Sequence, residues 1–202
     1  MSRVPAEFLG QARALRAEIA AADPIAHSAA ERVAAPLCAR LRRKPTLRPD
    51  SLADAERHWR DWMPAAGRLD REARLDNRSL TIEETRASAA NFRADGWGAG
   101  REESGLCIVS LMLEAAPGRV RLNHEVLTYI SLHALARRFE RGAPGAALAD
   151  LRALGEWCAA PGAARAEFRV PAGDGWWVGN AAEVERGGEV ARMLAVRTFL
   201  SQ

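Results

Sequence analysis

His133 and Arg137 stand four residues apart, and Arg141 follows at the same interval, in the run Ile130-Ser131-Leu132-His133-Ala134-Leu135-Ala136-Arg137-Arg138-Phe139-Glu140-Arg141-Gly142. On a helix turning about 100° per residue the three share one face, with Arg138 and Glu140 flanking it. Leu132, Leu135, Ala136 and Phe139 fall in an apolar arc on the other side. An imidazole beside stacked guanidiniums suits a site that handles phosphodiesters. A guanidinium fork holds two phosphate oxygens at once and offsets the charge that grows on them during attack. Ser131 is placed to cap this helix, which puts His133 in its first turn. There the helix dipole and the neighbouring arginines disfavour the imidazolium, so the ring is expected to be neutral and able to accept a proton. Such a set fits attack of a ribose 2′-hydroxyl on its own phosphate, which needs acid–base catalysis and charge stabilisation but neither metal nor cofactor. The same spacing also describes an ordinary solvated helix face.

The helix needs a scaffold, and the second half of the chain reads as one. A buried strand over 106–113, a turn at Ala115-Ala116-Pro117-Gly118 and an alternating strand over 120–130 lead into it. Gly142 ends it, and Pro144 opens a second helix with Leu148, Leu151 and Leu154 on its apolar side. Three short strands are expected over 166–170, over 176–179 behind the Gly173-Asp174-Gly175 turn, and over 190–200 behind Arg186-Gly187-Gly188. A hairpin, two helices and a meander make an α+β domain over 105–202. The first half reads as helical. Phe8, Leu9, Ala12, Leu15 and Ile19 set a helix over 4–22 that ends before Asp23-Pro24. A second covers 28–43 with Pro36 as a kink, and a third runs from an Asp50 or Ser51 cap to Trp62, stopped by Pro64. A fourth and fifth, rich in charge, are expected across 68–93. Asp95-Gly96-Trp97-Gly98-Ala99-Gly100 then breaks the pattern, placing a boundary at 94–104 between a helical region, 1–94, and the α+β domain.

The pattern Ile130-Ser131-x-His133-Ala134-Leu135-x-Arg137-Arg138-x-x-Arg141-Gly142 resembles the entry helix of toxin-like domains in the barnase–EndoU–colicin–RelE (BECR) ribonuclease superfamily. Those domains continue with a second helix and close with a four-stranded meander whose last strand often carries a hydroxyl residue. Leu194-Ala195-Val196-Arg197-Thr198-Phe199-Leu200 ends this chain in that manner. The resemblance covers roughly the final third of the chain. It implies a ribonuclease of toxin type that cleaves RNA without metal or cofactor. His133 would be the acid–base, Arg137 with Arg138 or Arg141 would lie on phosphate, and Thr198 and Arg197 would line the cleft. A protein inhibitor is the second partner such a toxin implies. Two features depart from the pattern: three strands rather than four follow the second helix, and a strand pair precedes the histidine helix.

Composition narrows the alternatives. At 48% hydrophobic and 27% charged, 202 residues suit a folded globular protein rather than a disordered one. No apolar run reaches the length of a membrane span, and residues 1–22 lack a secretory core, so a cytoplasmic protein is expected. Cys38, Cys107 and Cys158 are widely spaced, form no C-x-x-C pair and match no zinc pattern, so they read as reduced thiols and no metal site is expected. Walker, dinucleotide and nucleophile-elbow motifs are absent. The basic excess sits in the first half, around Arg40-Leu41-Arg42-Arg43-Lys44, as a solvated loop or a partner-facing patch.

His124 and Glu125 point to opposite faces of their strand, and His27 and His58 read as surface residues. Trp59, Trp62 and Trp97 suit packing between helices; of Trp176 and Trp177, one suits the core and the other a base stack. Two further functions compete with the ribonuclease. The helix pair 131–142 and 144–157 has lengths compatible with a helix-turn-helix, in which the arginine ladder would bind phosphates without cutting them. Alternatively His133 and the arginines are surface decoration on an interaction or structural protein of a secretion or phage-derived system.

Overall fold

The computed structural model describes residues 4–94, 102–143, 145–160, 167–186 and 188–201. The glycine-rich break at 95–100 with Trp97, Pro144 as helix opener, and the 161–166 connection lie outside the described residues. The elements are α1 (Ala6–Arg43), α2 (Pro49–Trp62), β1 (Arg68–Leu75), β2 (Leu80–Ala94), β3 (Glu103–Ala116), β4 (Arg119–Ser131), α3 (Leu132–Arg141), α4 (Ala147–Ala159), β5 (Glu167–Ala172), β6 (Gly175–Arg186) and β7 (Glu189–Ser201). The α+β class expected from the sequence is what the chain adopts.

The helical expectation for 68–93 is overturned. These residues form β1 and β2, paired antiparallel from Arg68↔Arg86 to Leu75↔Leu80. Their Ala, Arg and Glu content favours helix by propensity, but tertiary pairing overrides it. At period two, Leu80, Ile82, Glu84 and Arg86 all turn inward and are buried. β2 then pairs with β3 from Leu80↔Ala115 to Phe92↔Glu103, so one sheet runs through both sides of the 94–104 boundary.

The sheet has seven strands in the order β1-β2-β3-β4-β7-β6-β5, and β6 also pairs with β2 through Arg93↔Glu185 and Ala94↔Val184. That extra pairing closes β2, β3, β4, β7 and β6 into a barrel. All neighbours are antiparallel except β4 and β7, joined in parallel at Thr128↔Leu194 to Ile130↔Val196. A parallel pair needs a crossover, and α3 and α4 begin it. Ala90, Phe92, Cys107, Val109, Tyr129, Ala182, Val184 and Ala195, drawn from every barrel strand, form one buried cluster. They are the barrel interior.

α3, α4 and the first half of α1 cover the outer face, while α2 and the second half of α1 pack on the face of β2 and β3 that continues from the barrel interior. The helix expected to stop before Pro24 instead runs unbroken to Arg43, with Pro24 and Pro36 inside it. Each proline removes one backbone donor, a cost of about 3 kcal/mol. Offsetting that is a buried stripe from Ala12 and Ile19 through Ala30 and Val33 to Leu41. Asp23 adds an anchor at the first proline, accepting from the Ser88 hydroxyl at 3.0 Å and the Ala89 N–H at 2.8 Å. The first half of α1 shares a core with α3, α4 and β5–β7, and the second half shares another with α2 and the start of β2.

Cys158 on α4 reports on this packing. Burial pushes its thiol up to about 12, against the pull of the Thr128 hydroxyl. At pH 8 only about one thiol in ten thousand would be the reactive thiolate. Iodoacetamide is therefore expected to leave Cys158 unmodified in the native protein and to label it fully in urea, read by mass spectrometry. Labelling of Cys158 in native buffer as fast as in urea would contradict the docking of α4 on β4.

Candidate functional site

α3 begins where the sequence places it. Ser131 accepts from the Ala134 N–H at 3.0 Å, satisfying one of the first-turn donors. Gly142 ends the helix, its N–H reaching the Arg138 carbonyl at 2.8 Å. A side chain at 142 would run into the Arg138 guanidinium, which explains the glycine.

His133 is partly buried in the first turn. Its pKa lies below the ordinary histidine value, first through burial, then through the charges of Arg137 and Arg141, with Glu140 pulling the other way. Arg137 is itself buried and holds the Glu140 carboxylate at 2.5 Å. Arg141 stands 3.8 Å from the same carboxylate and donates to the Phe199 carbonyl of β7 at 2.8 Å. Thr198 donates to that same carbonyl at 3.5 Å, a long contact. Arg141 and Thr198 therefore meet at one backbone oxygen, and His133, Glu140 and Arg137 continue the polar seam along α3. Glu140 is the member that sequence reasoning left without a role. Its signal was present as the i+3 partner of Arg137.

Arg138 has a different place from the one expected. It is enclosed, 2% exposed, where a phosphate clamp would need an open guanidinium. Its Nε is ion-paired with Asp150 of α4, its Nη2 donates to the Ala143 carbonyl at 3.2 Å, and the group lies 5.5 Å over the Phe199 ring. Trp177 Nε1 donates to the Asp150 carbonyl at 2.9 Å. This network locks α3, α4, β6 and β7 together; it positions the helix and is closed to a ligand. A phosphate-reading helix-turn-helix would need the arginines of α3 turned outward. Here Arg137 and Arg138 are buried in ion pairs.

Arg197 is exposed and lines a cleft of about 320 Å³ with Glu167, Arg169 and Asn180 of β5 and β6. His124 lines a smaller cavity of about 130 Å³ with Asp23, His27 and Arg86. It sits seven residues before the end of β4, roughly 20 Å of strand from Ser131, so it does not join His133. His58 stacks on Trp62, with ring centroids 4.3 Å apart. Of the two tryptophans on β6, Trp177 is in the core and Trp176 is the exposed one.

Among the described residues no group of His, Cys, Asp and Glu is arranged to hold a metal ion, and no helix is long and apolar enough to cross a membrane. No family model, no curated protein and no solved structure matches this chain.

Proposed function

We propose that the protein is a metal-independent ribonuclease of toxin type, working at the seam between α3 and β7. The observation that carries this reading is a partly buried imidazole with a lowered pKa, backed by Arg137 and Arg141, on a helix whose last arginine reaches the Thr198 strand. A neutral His133 takes the proton of a ribose 2′-hydroxyl and returns it to the departing 5′-oxygen. Arg141 offsets the charge that builds on the phosphorane oxygens. Arg137 and Glu140 hold the cationic column in place, and Thr198 borders the substrate. Support for a BECR-like arrangement comes from the order α3, α4, then the β5–β6–β7 meander, which follows the resemblance; β1–β4 and the two long helices are additions to it. RNA is the partner this reading names first, and an inhibitor covering the α3–β7 seam is the second.

Changing His133 to Ala tests it. Cleavage of a mixed single-stranded RNA is expected to fall by roughly 10²–10⁴-fold, with RNA affinity at fixed salt nearly unchanged. Equal cleavage by both proteins would remove the proposal. The pH dependence has a definite sign. Since the folded protein holds the ring below its usual pKa, the neutral base persists below pH 6.5, and the acid limb of kcat/KM should lie under that value. Stability follows the same direction: the unfolded chain takes up this proton first, so the His133 contribution is complete above about pH 6.5 and is lost as the pH falls towards the folded pKa. His133→Gln should flatten that part of the curve.

A further inference from the structure

The cleft on β5–β7 contains a more specific arrangement than a pair of surface arginines. Glu167 of β5 is paired directly with Asn180 of β6, so the two side chains lie on one face, with Cβ atoms about 5 Å apart. Two residues further along β5, on the same face and about 7 Å away, is Arg169. Arg197 joins it through an irregularity of β7. Val178 pairs with Thr198 but Gly179 pairs with Val196, so Arg197 is the extra residue of a bulge, a device that re-aims a side chain. All four residues line the cleft. One end therefore carries two guanidiniums, and the other a carboxylate beside an amide.

The amide's orientation is fixed. Asn180 Nδ2 donates to the Ala181 carbonyl at 2.9 Å, which only the nitrogen can do, so Oδ1 is the atom turned away. That oxygen is buried and has no hydrogen-bond partner among the described residues. A buried acceptor left empty costs stability, so Oδ1 has an unmet demand for a donor. Next to it, the Glu167 carboxylate only accepts.

From this geometry we infer that the cleft is a nucleotide subsite selective for guanine, with Arg169 and Arg197 on the phosphate and Glu167 and Asn180 on the base. Guanine presents N1–H and the N2 amino group side by side, two adjacent donors facing two acceptors. Adenine and cytosine place a ring-nitrogen acceptor beside their amino group, which would oppose a carboxylate lone pair. Uracil offers one N–H between two carbonyls. The size fits, since small-molecule sites begin at about 300 Å³. A site built around hydrogen bonds also rejects ligands that leave those groups unpaired more strongly than an apolar pocket does. The inference shares with the ribonuclease reading only Arg197, which the resemblance sets at the edge of the cleft, and nothing in it requires His133 to cleave.

Calorimetric titration of the whole protein with GMP, AMP, CMP, UMP and inorganic phosphate is the test. GMP is expected to bind roughly 10- to 100-fold more tightly than the other three nucleotides, the discrimination of a good paired contact to a base. Asn180→Ala and Glu167→Gln should abolish that preference while leaving the phosphate contribution. Arg197→Ala, at an exposed position, should weaken all four nucleotides alike. Equal affinity for the four, binding no stronger than inorganic phosphate, or no binding overturns the inference. GMP binding by a protein that cuts no RNA would leave this subsite standing and remove the nuclease. RNA cleavage without GMP binding would do the reverse.

Discussion

Glu84→Ala is expected to destabilise the fold by about 3–5 kcal/mol, the cost of leaving a buried charge without its partner. Glu84 is fully buried on β2, and its carboxylate serves three groups. It is ion-paired with the equally enclosed Arg86, accepts from Trp59 Nε1 of α2 at 3.1 Å, and lies 3.9 Å from Arg68 Nε of β1. Arg86 also donates to the Pro64 carbonyl at 3.0 Å and the Ala66 carbonyl at 2.6 Å, which ties the α2–β1 connection to the sheet. Alanine at 84 would keep those two carbonyl bonds but strand the guanidinium charge and the indole N–H in an apolar surround. For a chain of this length the loss corresponds to a fall in Tm on the order of 10 °C. The double variant Glu84→Leu/Arg86→Met removes both charges at nearly constant volume and should be markedly less damaged than Glu84→Ala. With the single variants Glu84→Leu and Arg86→Met added, thermal unfolding closes a mutant cycle. If Glu84→Ala melts within a degree or two of the parent, the network does not hold α2 to the barrel.

That network also explains why part of the fold could be read from the sequence and part could not. The α3 segment was legible because its cap, apolar arc and terminal glycine all operate within one helical turn: Ser131 bonds Ala134, and Gly142 clears Arg138. The β3 core strand was legible because Leu106 to Val109 is a continuous buried run. Residues 68–93 were not legible, because the inward positions of β2 include Glu84 and Arg86. Read as outward charges, they disguise a period of two as a solvated helix. What makes them inward residues is Trp59 and the carbonyls of Pro64 and Ala66, all of them 18 or more positions away in the chain. Pro24 and Pro36 misled for a related reason: the strand contacts of Asp23 and the alanine stripe keep α1 whole, and neither shows in local propensity.

The candidate site divides along the same line. His133, Arg137 and Arg141 share a face by helical spacing alone, whereas burial separates Arg138 from them. The i+1 step from Arg137 was visible, but the acid that captures Arg138 is Asp150 on the next helix. The Glu167/Asn180 pair depends on strand register, which a single sequence does not fix. Arg197 was named through the resemblance, but its neighbours in the cleft come from β5 and β6.

Asp150→Ala should be the most damaging single change near the site, again by about 3–5 kcal/mol. Among the described residues Arg138 would retain the Ala143 carbonyl and the face of Phe199, with its charge fully enclosed. These two ion pairs differ in what they fix. Glu84 and Arg86 fasten α2 and the α2–β1 connection to the sheet, while Arg138 and Asp150 set α3 against α4 over Phe199 and Trp177, and so set where His133 stands. Asp150→Asn, which keeps an acceptor for Arg138 Nε but loses the charge, should fall between the parent and Asp150→Ala in urea unfolding. Arg138→Met/Asp150→Leu should recover most of the stability, because the long apolar stem and the branched carbon fill the space the ions occupied. Under the ribonuclease reading that double variant also separates architecture from chemistry: with Arg138 serving only to position α3, cleavage should return along with stability. A double variant that is stable yet inactive would put Arg138 among the groups that act on substrate, against its enclosure in the fold.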